Sequence, residues 1–172
     1  AGADEPLHVR IDRLIAADHY GPAAPLADDA EYLRRVSLSL NGVIPSAAEA
    51  RAFVDDPSAD KRTALVDRLL ASVHYPRHMA DMFDVMLMER RPAVHVPAAD
   101  WKKYLHESFA QNKPYNELAR EILAADGVDP KLRPAARFYL DRSVEPNLLT
   151  REVGRIFFGR DLQCAQCHNH PI

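Results

Sequence analysis

The sequence predicts an all-α fold, an irregular bundle of about seven to eight short helices with Pro/Gly-rich connections. Three observations carry that reading. Apolar residues recur at spacings of three and four along most of the 172 residues. Capping residues, glycines and prolines cut this pattern into short pieces. No alternating run longer than a few residues competes for a strand.

Taken in order, "LHVRIDRLIAA" offers Leu7, Ile11, Leu14 and Ile15 at helical spacing. A second helix is expected from about Asp29, with Leu33, Val36, Leu38 and Leu40 as its apolar surface and Asn41-Gly42 as its stop. Ser46 followed by Glu49 is a capping box: the serine accepts an orphan N–H and the glutamate reaches back, starting a short helix that ends near Asp55-Asp56-Pro57. A helical hairpin follows. Leu65, Val66, Leu69 and Leu70 form one stripe, "SVHYP" interrupts it, and Met79, Met82, Phe83, Met86 and Leu87 form a second stripe expected to pack inward against the first. Beyond "ERRPAVHVP" the pattern resumes in Trp101, Tyr104, Leu105 and Phe109, then in Tyr115, Leu118, Ala119, Ile122 and Leu123 after the Lys113-Pro114 break. Residues 126–146 hold three prolines and read as surface turns with one short helix. The last helix is expected over Asn147–Phe158, packing through Leu149, Val153, Ile156 and Phe157, with Gly159 releasing the chain into "QCAQCHNHPI". No repeat period or long linker divides the chain, so residues 1–172 read as one mainly helical domain.

Composition narrows the function classes. Twenty-five acidic residues against twenty-two Lys and Arg give a formal charge of -3, with no basic block of the kind that tracks a phosphate backbone. Nucleic acid is therefore not an expected partner. No run of eighteen apolar residues is present, so no transmembrane segment is expected. Two cysteines with two residues between them cannot staple a fold of this size. Nor does the sequence present a nucleophile triad or a paired-carboxylate constellation; Asp81 and Asp84 read as the polar flank of an amphipathic helix.

The chemistry concentrates in Cys164, Cys167, His168 and His170. In Cys-x-x-Cys-His the two thiols can add to the vinyl groups of a haem while the adjacent histidine reaches the iron. On this reading Cys164 and Cys167 carry the thioethers and His168 is the axial ligand. A zinc site would use Cys164, Cys167, His168 and His170 together, although zinc wants a closed tetrahedron and consecutive residues wrap one ion poorly. A CxxC disulfide or exchange pair is the third reading; such pairs gain reactivity from a helix N-terminus, whereas this one follows a helix.

The neighbouring stretches add to the motif. "YLRRVSLSLNGVIPSAAEARAF", "LVDRLLASVHY", "SFAQNKPYNELAREILAADG" and "GRIFFGRDLQCAQCHNHP" resemble, in order, the signature stretches of the planctomycete-type cytochrome-c-like family of unknown function. The likeness runs over residues 8–172. It implies an exported bacterial protein of the periplasm or another envelope compartment, with haem c as the covalent cofactor. The family's Cys-x-x-Cys-His falls on Cys164, Cys167 and His168, and its second histidine and proline fall on His170 and Pro171. Members continue beyond the His-Pro element, so this chain is expected to be part of a longer one. The resemblance implies fold-fixing roles for Arg34, Arg35, Asn41, Gly42 and the Asn112–Tyr115 stretch.

A bis-histidine iron would need a second histidine from His8, His19, His74, His78, His95, His106 or His170, and a methionine ligand would come from Met79, Met82, Met86 or Met88. His78 has the most suggestive setting, beside the methionine stripe and just past Tyr75-Pro76. His170 stands too close to His168 to cross the ring, and suits a hydrogen-bonding role around the site. The functional expectation is a c-type haem carrier transferring electrons in the cell envelope, with redox proteins or the rest of its own chain as partners. An envelope interaction module with a CxxC disulfide, or a small zinc module on the same cluster, is the alternative.

Overall fold

The computed structural model describes residues 5–18, 21 and 24–166. Among them the regular structure is entirely helical: α1 (Leu7–Asp18), α2 (Asp29–Asn41), α3 (Ala47–Asp55), α4 (Lys61–Leu70), α5 (His74–Met88), α6 (Ala98–Ala110), α7 (Tyr115–Ala124), α8 (Arg137–Leu140), α9 (Pro146–Phe158) and a closing 3-10 turn, Cys164–Gln166. The irregular all-α bundle expected from the periodicity is what the chain forms.

Local chemistry sets the boundaries. Asp28 caps α2 by accepting from the Glu31 N–H at 2.8 Å, and Gly42 ends it in the left-handed region at φ 71°. The capping box is present in both directions: Glu49 N–H donates to Ser46 Oγ at 3.2 Å and Ser46 N–H donates to Glu49 Oε2 at 2.8 Å. Donation from the Ser46 hydroxyl at 2.7 Å, and then from the Ser46 N–H, holds the Glu49 carboxyl below its ordinary range.

α2 packs against α3, α4 and α5. Its inward seam is Leu33, Ser37 and Asn41, one residue per turn. Leu33 joins Phe53 and Leu65 in a small apolar cluster. Asn41 sits where α4 ends: in the orientation that satisfies its neighbours, its amide nitrogen donates to the Leu69 carbonyl at 3.1 Å. The start of α2 is tied to the start of α4 by Asp29, which meets Lys61 Nζ and Arg62 Nη2, each at 2.7 Å.

The larger cluster lies beyond α5. Leu87 and Met88 of α5, Trp101 and Leu105 of α6, Ile122 of α7 and Phe138 of α8 are all at most 1% exposed and pack together with Leu118 and Leu149. α5 and α6 run along one another, joined by an edge-on Phe83–Phe109 pair at 4.8 Å. Trp101 Nε1 donates to Asp84 Oδ1 at 2.9 Å, so this carboxylate serves the interface between the two helices. Asp81 stays on the exposed flank, where it meets Lys102.

Four expectations need correction. The methionine stripe of α5 does not face the core: Met82 and Met86 are 49% and 41% exposed, and the buried line is Pro76, Ala80, Leu87 and Met88. The principal partner of α5 is α6 rather than α4, because α5 presents its bulkiest residues to the Trp101 side. Residues 126–146 are not a surface wrap; Ala135, Ala136, Arg137, Phe138 and Arg142 are buried. Finally, α1 forms at the expected place but buries none of its residues, so its apolar stripe faces outward among the described residues.

Two outcomes follow from this packing. Leu65→Ala should destabilise by about 2–5 kcal/mol because it empties the small cluster, while Met82→Ser should stay within about 0.5 kcal/mol of the parent in urea unfolding. Asp29 should be visible in the acid limb of stability. Hydrogen bonds from Lys61 and Arg62 hold its carboxyl below the ordinary 3.8. A depressed folded pKa gives stability that is present above the unfolded value and lost as pH falls through the folded one. The stability gap between parent and Asp29→Asn should therefore be full at neutral pH and close below 3.8.

Candidate functional site

The cysteine-bearing end of the chain is positioned by α9. Pro146 occupies the first turn, where its missing N–H costs nothing, and the Glu145 carboxylate accepts from the Asn147 and Leu148 N–H groups. The inner side of the helix carries Leu149, which is buried, and the partly buried Val153, Ile156 and Phe157 against the main cluster. Glu152 is buried too; it takes Arg155 at 2.6 Å and lies 3.9 Å from Arg142. That hydrogen bond raises the Arg155 guanidinium above its ordinary value.

Gly159 stops the helix in the left-handed region at φ 62°, and the chain folds back along α9. Arg160 N–H donates to the Gly154 carbonyl at 2.9 Å. Leu162 then seats on Gly154 itself: a Cβ there would lie 2.7 Å from Leu162 Cδ1 and 3.2 Å from the Arg160 carbonyl oxygen. The glycine is thus a cradle for the returning segment. From this seat the chain enters the 3-10 turn that begins at Cys164, after Gln163 N–H donates to Asp161 Oδ1 at 3.0 Å. Cys164 is exposed and forms no disulfide among the described residues. Cys167, His168 and His170 lie outside the described residues.

A trough runs beside this turn. One part, of about 300 Å³, is lined by Asn147, Thr150, Arg151, Leu162 and Ala165. A second, of about 400 Å³, is lined by Tyr139, Leu149, Val153, Gly154 and Phe158, and shares Thr150 and Leu162 with the first. Asn147, Thr150, Arg151, Gly154 and Phe158 are spaced by three, one, three and four, so they share the outer stripe of α9. The stripe is polar at its N-terminal end and apolar at the other. Phe158 is 70% exposed. Arg151 is only partly covered and reaches Glu152 at 4.0 Å, while Arg155 holds that carboxylate at much shorter range. The guanidinium charge is therefore available at the polar end of the trough.

The other residues singled out from the sequence fall elsewhere. His78 packs on Gly42, whose added Cβ would lie 2.4 Å from the imidazole Nδ1, and with His74, Arg77 and Asp81 it lines a cavity at the α2–α5 junction. No residue of α5 lines the trough beside Cys164. Met88 is sealed in the core, its sulfur 3.7 Å from Arg142 Nη1. Lys113 lies 5.1 Å from the Tyr104 ring and pairs with Glu121, which also accepts from the Tyr104 hydroxyl at 2.8 Å. Burial and that carboxylate push the Tyr104 phenol well above its ordinary range, so the group is a neutral donor that fixes α6 to α7. Among the described residues no three His, Cys, Asp or Glu side chains converge on a metal position.

Sequence reasoning found the cysteines and missed the trough. The signal available was a glycine in mid-helix at 154, where helix propensity disfavours it and only a close approach requires it.

A covalently held haem fits what the structure describes. The thiol of Cys164 is open to solvent on a turn that Leu162 and Gly154 hold in place, and the adjacent trough offers apolar walls with a cation at one end. No curated protein and no solved structure matches the chain. One family model does, over residues 10–172, nearly the whole length. With four ordered motifs, a helical fold among the described residues and a segment leading to Cys164 that folds back on the last helix, the chain belongs to the PSCyt2 family, proteins of unknown function (DUF1549).

Proposed function

We propose that this chain is a c-type haem protein that carries electrons in a bacterial cell envelope. The observation that carries the reading is the Cys-x-x-Cys-His sequence at a turn whose described cysteine is exposed beside an apolar trough. Membership in a family with a cytochrome label supports it. Cys164 and Cys167 would form the two thioethers and His168 the axial bond. Bound there, haem supplies reversible one-electron transfer. The chain's own residues do the rest: Gly154 and Leu162 hold the turn, α9 shields one side from water, and Arg151 supplies positive charge at the rim. His170 would serve as a hydrogen-bonding neighbour rather than as a metal ligand. An exported protein suits this chemistry, and no helix among the described residues is long and apolar enough to cross a membrane. Its electron partners are other redox proteins or further sequence of its own chain.

The test is to produce the protein in a host with cytochrome maturation machinery. A Soret band should survive acid-acetone extraction, and the denatured mass should rise by one haem. His168→Ala should keep that mass while shifting the Soret band, because ligation and thioether formation are separate bonds. Replacing both cysteines should abolish covalent retention. A colourless parent, or one equivalent of zinc lost equally from His168→Ala and His170→Ala, would overturn the proposal.

A further inference from the structure

The trough on the outer face of α9 has a polarity gradient along its length. Asn147, Thr150 and Arg151 stand at one end; Tyr139, Val153 and Phe158 stand at the other, and Leu162 spans the two parts. Ala165, one residue past Cys164, is itself part of the wall at the polar end. Cys164 is not itself part of the lining, but a ligand tethered through it would stand next to this wall. Such a ligand needs a broad apolar body to cover Phe158, which is 70% exposed, and an anionic edge to meet Arg151. A porphyrin has both, in a flat hydrocarbon macrocycle with two propionates on one edge.

We propose that the trough seats the haem carried by the Cys164 segment, with the macrocycle against Val153, Leu162 and Phe158 and a propionate paired to Arg151. This rests on the haem reading above and adds to it the protein surface that sets the cofactor's environment. Two physical consequences follow. The Arg151 cation favours the reduced iron, which carries one positive charge fewer, and so raises the potential. It also stabilises the ionised propionate and lowers its pKa. Phe158 keeps water from the ring and fixes an asymmetric aromatic neighbour beside it.

Matured full chain should be compared with Arg151→Gln, Phe158→Ala and the control Lys103→Gln, an exposed α6 cation away from the trough. All four should carry the mass of one haem. Arg151→Gln should lower the reduction potential and move its pH dependence upward as the propionate pKa rises. Phe158→Ala should alter the Soret circular dichroism and lower the potential through solvent access. Lys103→Gln should change neither. If every protein carries haem and both trough variants match the control in potential, pH profile and Soret dichroism, the seat is wrong while the haem reading stands. If the parent carries no haem mass, both fall together.

Discussion

The buried guanidinium of Arg142 is the tie on which the larger half of the bundle depends. It is fixed by two carbonyls, donating from Nη1 to Phe138 at 2.9 Å and from Nη2 to Leu87. Its plane covers the Phe138 ring at 4.3 Å, and Glu152 of α9 lies 3.9 Å away. One side chain thus ties the buried end of α5 to α8 and lies beside the buried carboxylate of α9. Removal from water pulls its pKa down to about 10, with repulsion from Arg91 adding to the effect. Even so, the group stays charged under ordinary conditions, so the compensating contacts must be made. Arg137 repeats the device one turn earlier, donating from Nε to Asp141 at 2.9 Å and from Nη2 to the Arg91 carbonyl at 3.1 Å. Charged tails of this kind hold the chain ends of helices that no cap could reach.

That arrangement explains which parts of the fold were readable from sequence. Helices with an ordinary amphipathic stripe and a cap were placed well: Ser46 and Glu49, Asn41-Gly42 and Gly159 all act where local chemistry says they must. The stretch around Arg137 and Arg142 was misread because arginine and proline pattern a surface loop on average, whereas here the arginines are drawn inside by carbonyls from distant helices. The α5 stripe was half right for a related reason. Periodicity gives a face, yet it cannot fix the edge of that face: Phe83 and Leu87 of the expected stripe pack beside Trp101 together with Ala80 and Met88, while Met82 and Met86 stay outside.

The candidate site divides the same way. Its reactive atoms are legible, since Cys-x-x-Cys-His is written in consecutive residues. The surface beside them is not, because one of its walls exists only once Leu162 has folded back onto Gly154. His78 shows the converse: its neighbours in sequence suggested a ligand, and its neighbours in space are Gly42 and the α2–α5 junction. Proximity along the chain and proximity in the fold diverge most for residues on long helices.

Gly154 has a consequence for how the molecule breathes. A glycine in mid-helix weakens α9 by about 1 kcal/mol relative to alanine. Both fastenings of the returning strand, the Leu162 seat and the Arg160 amide bond, converge on that one residue. Breaking those two contacts would free the segment after Gly159 while leaving the bonds of Arg142 to α5 and α8 in place. Opening of this kind belongs to the low end of a protein's local-unfolding spectrum, far below the cost of global unfolding. By the same rule the amides around the buried Leu87 and Phe138 belong to the opposite end of that spectrum.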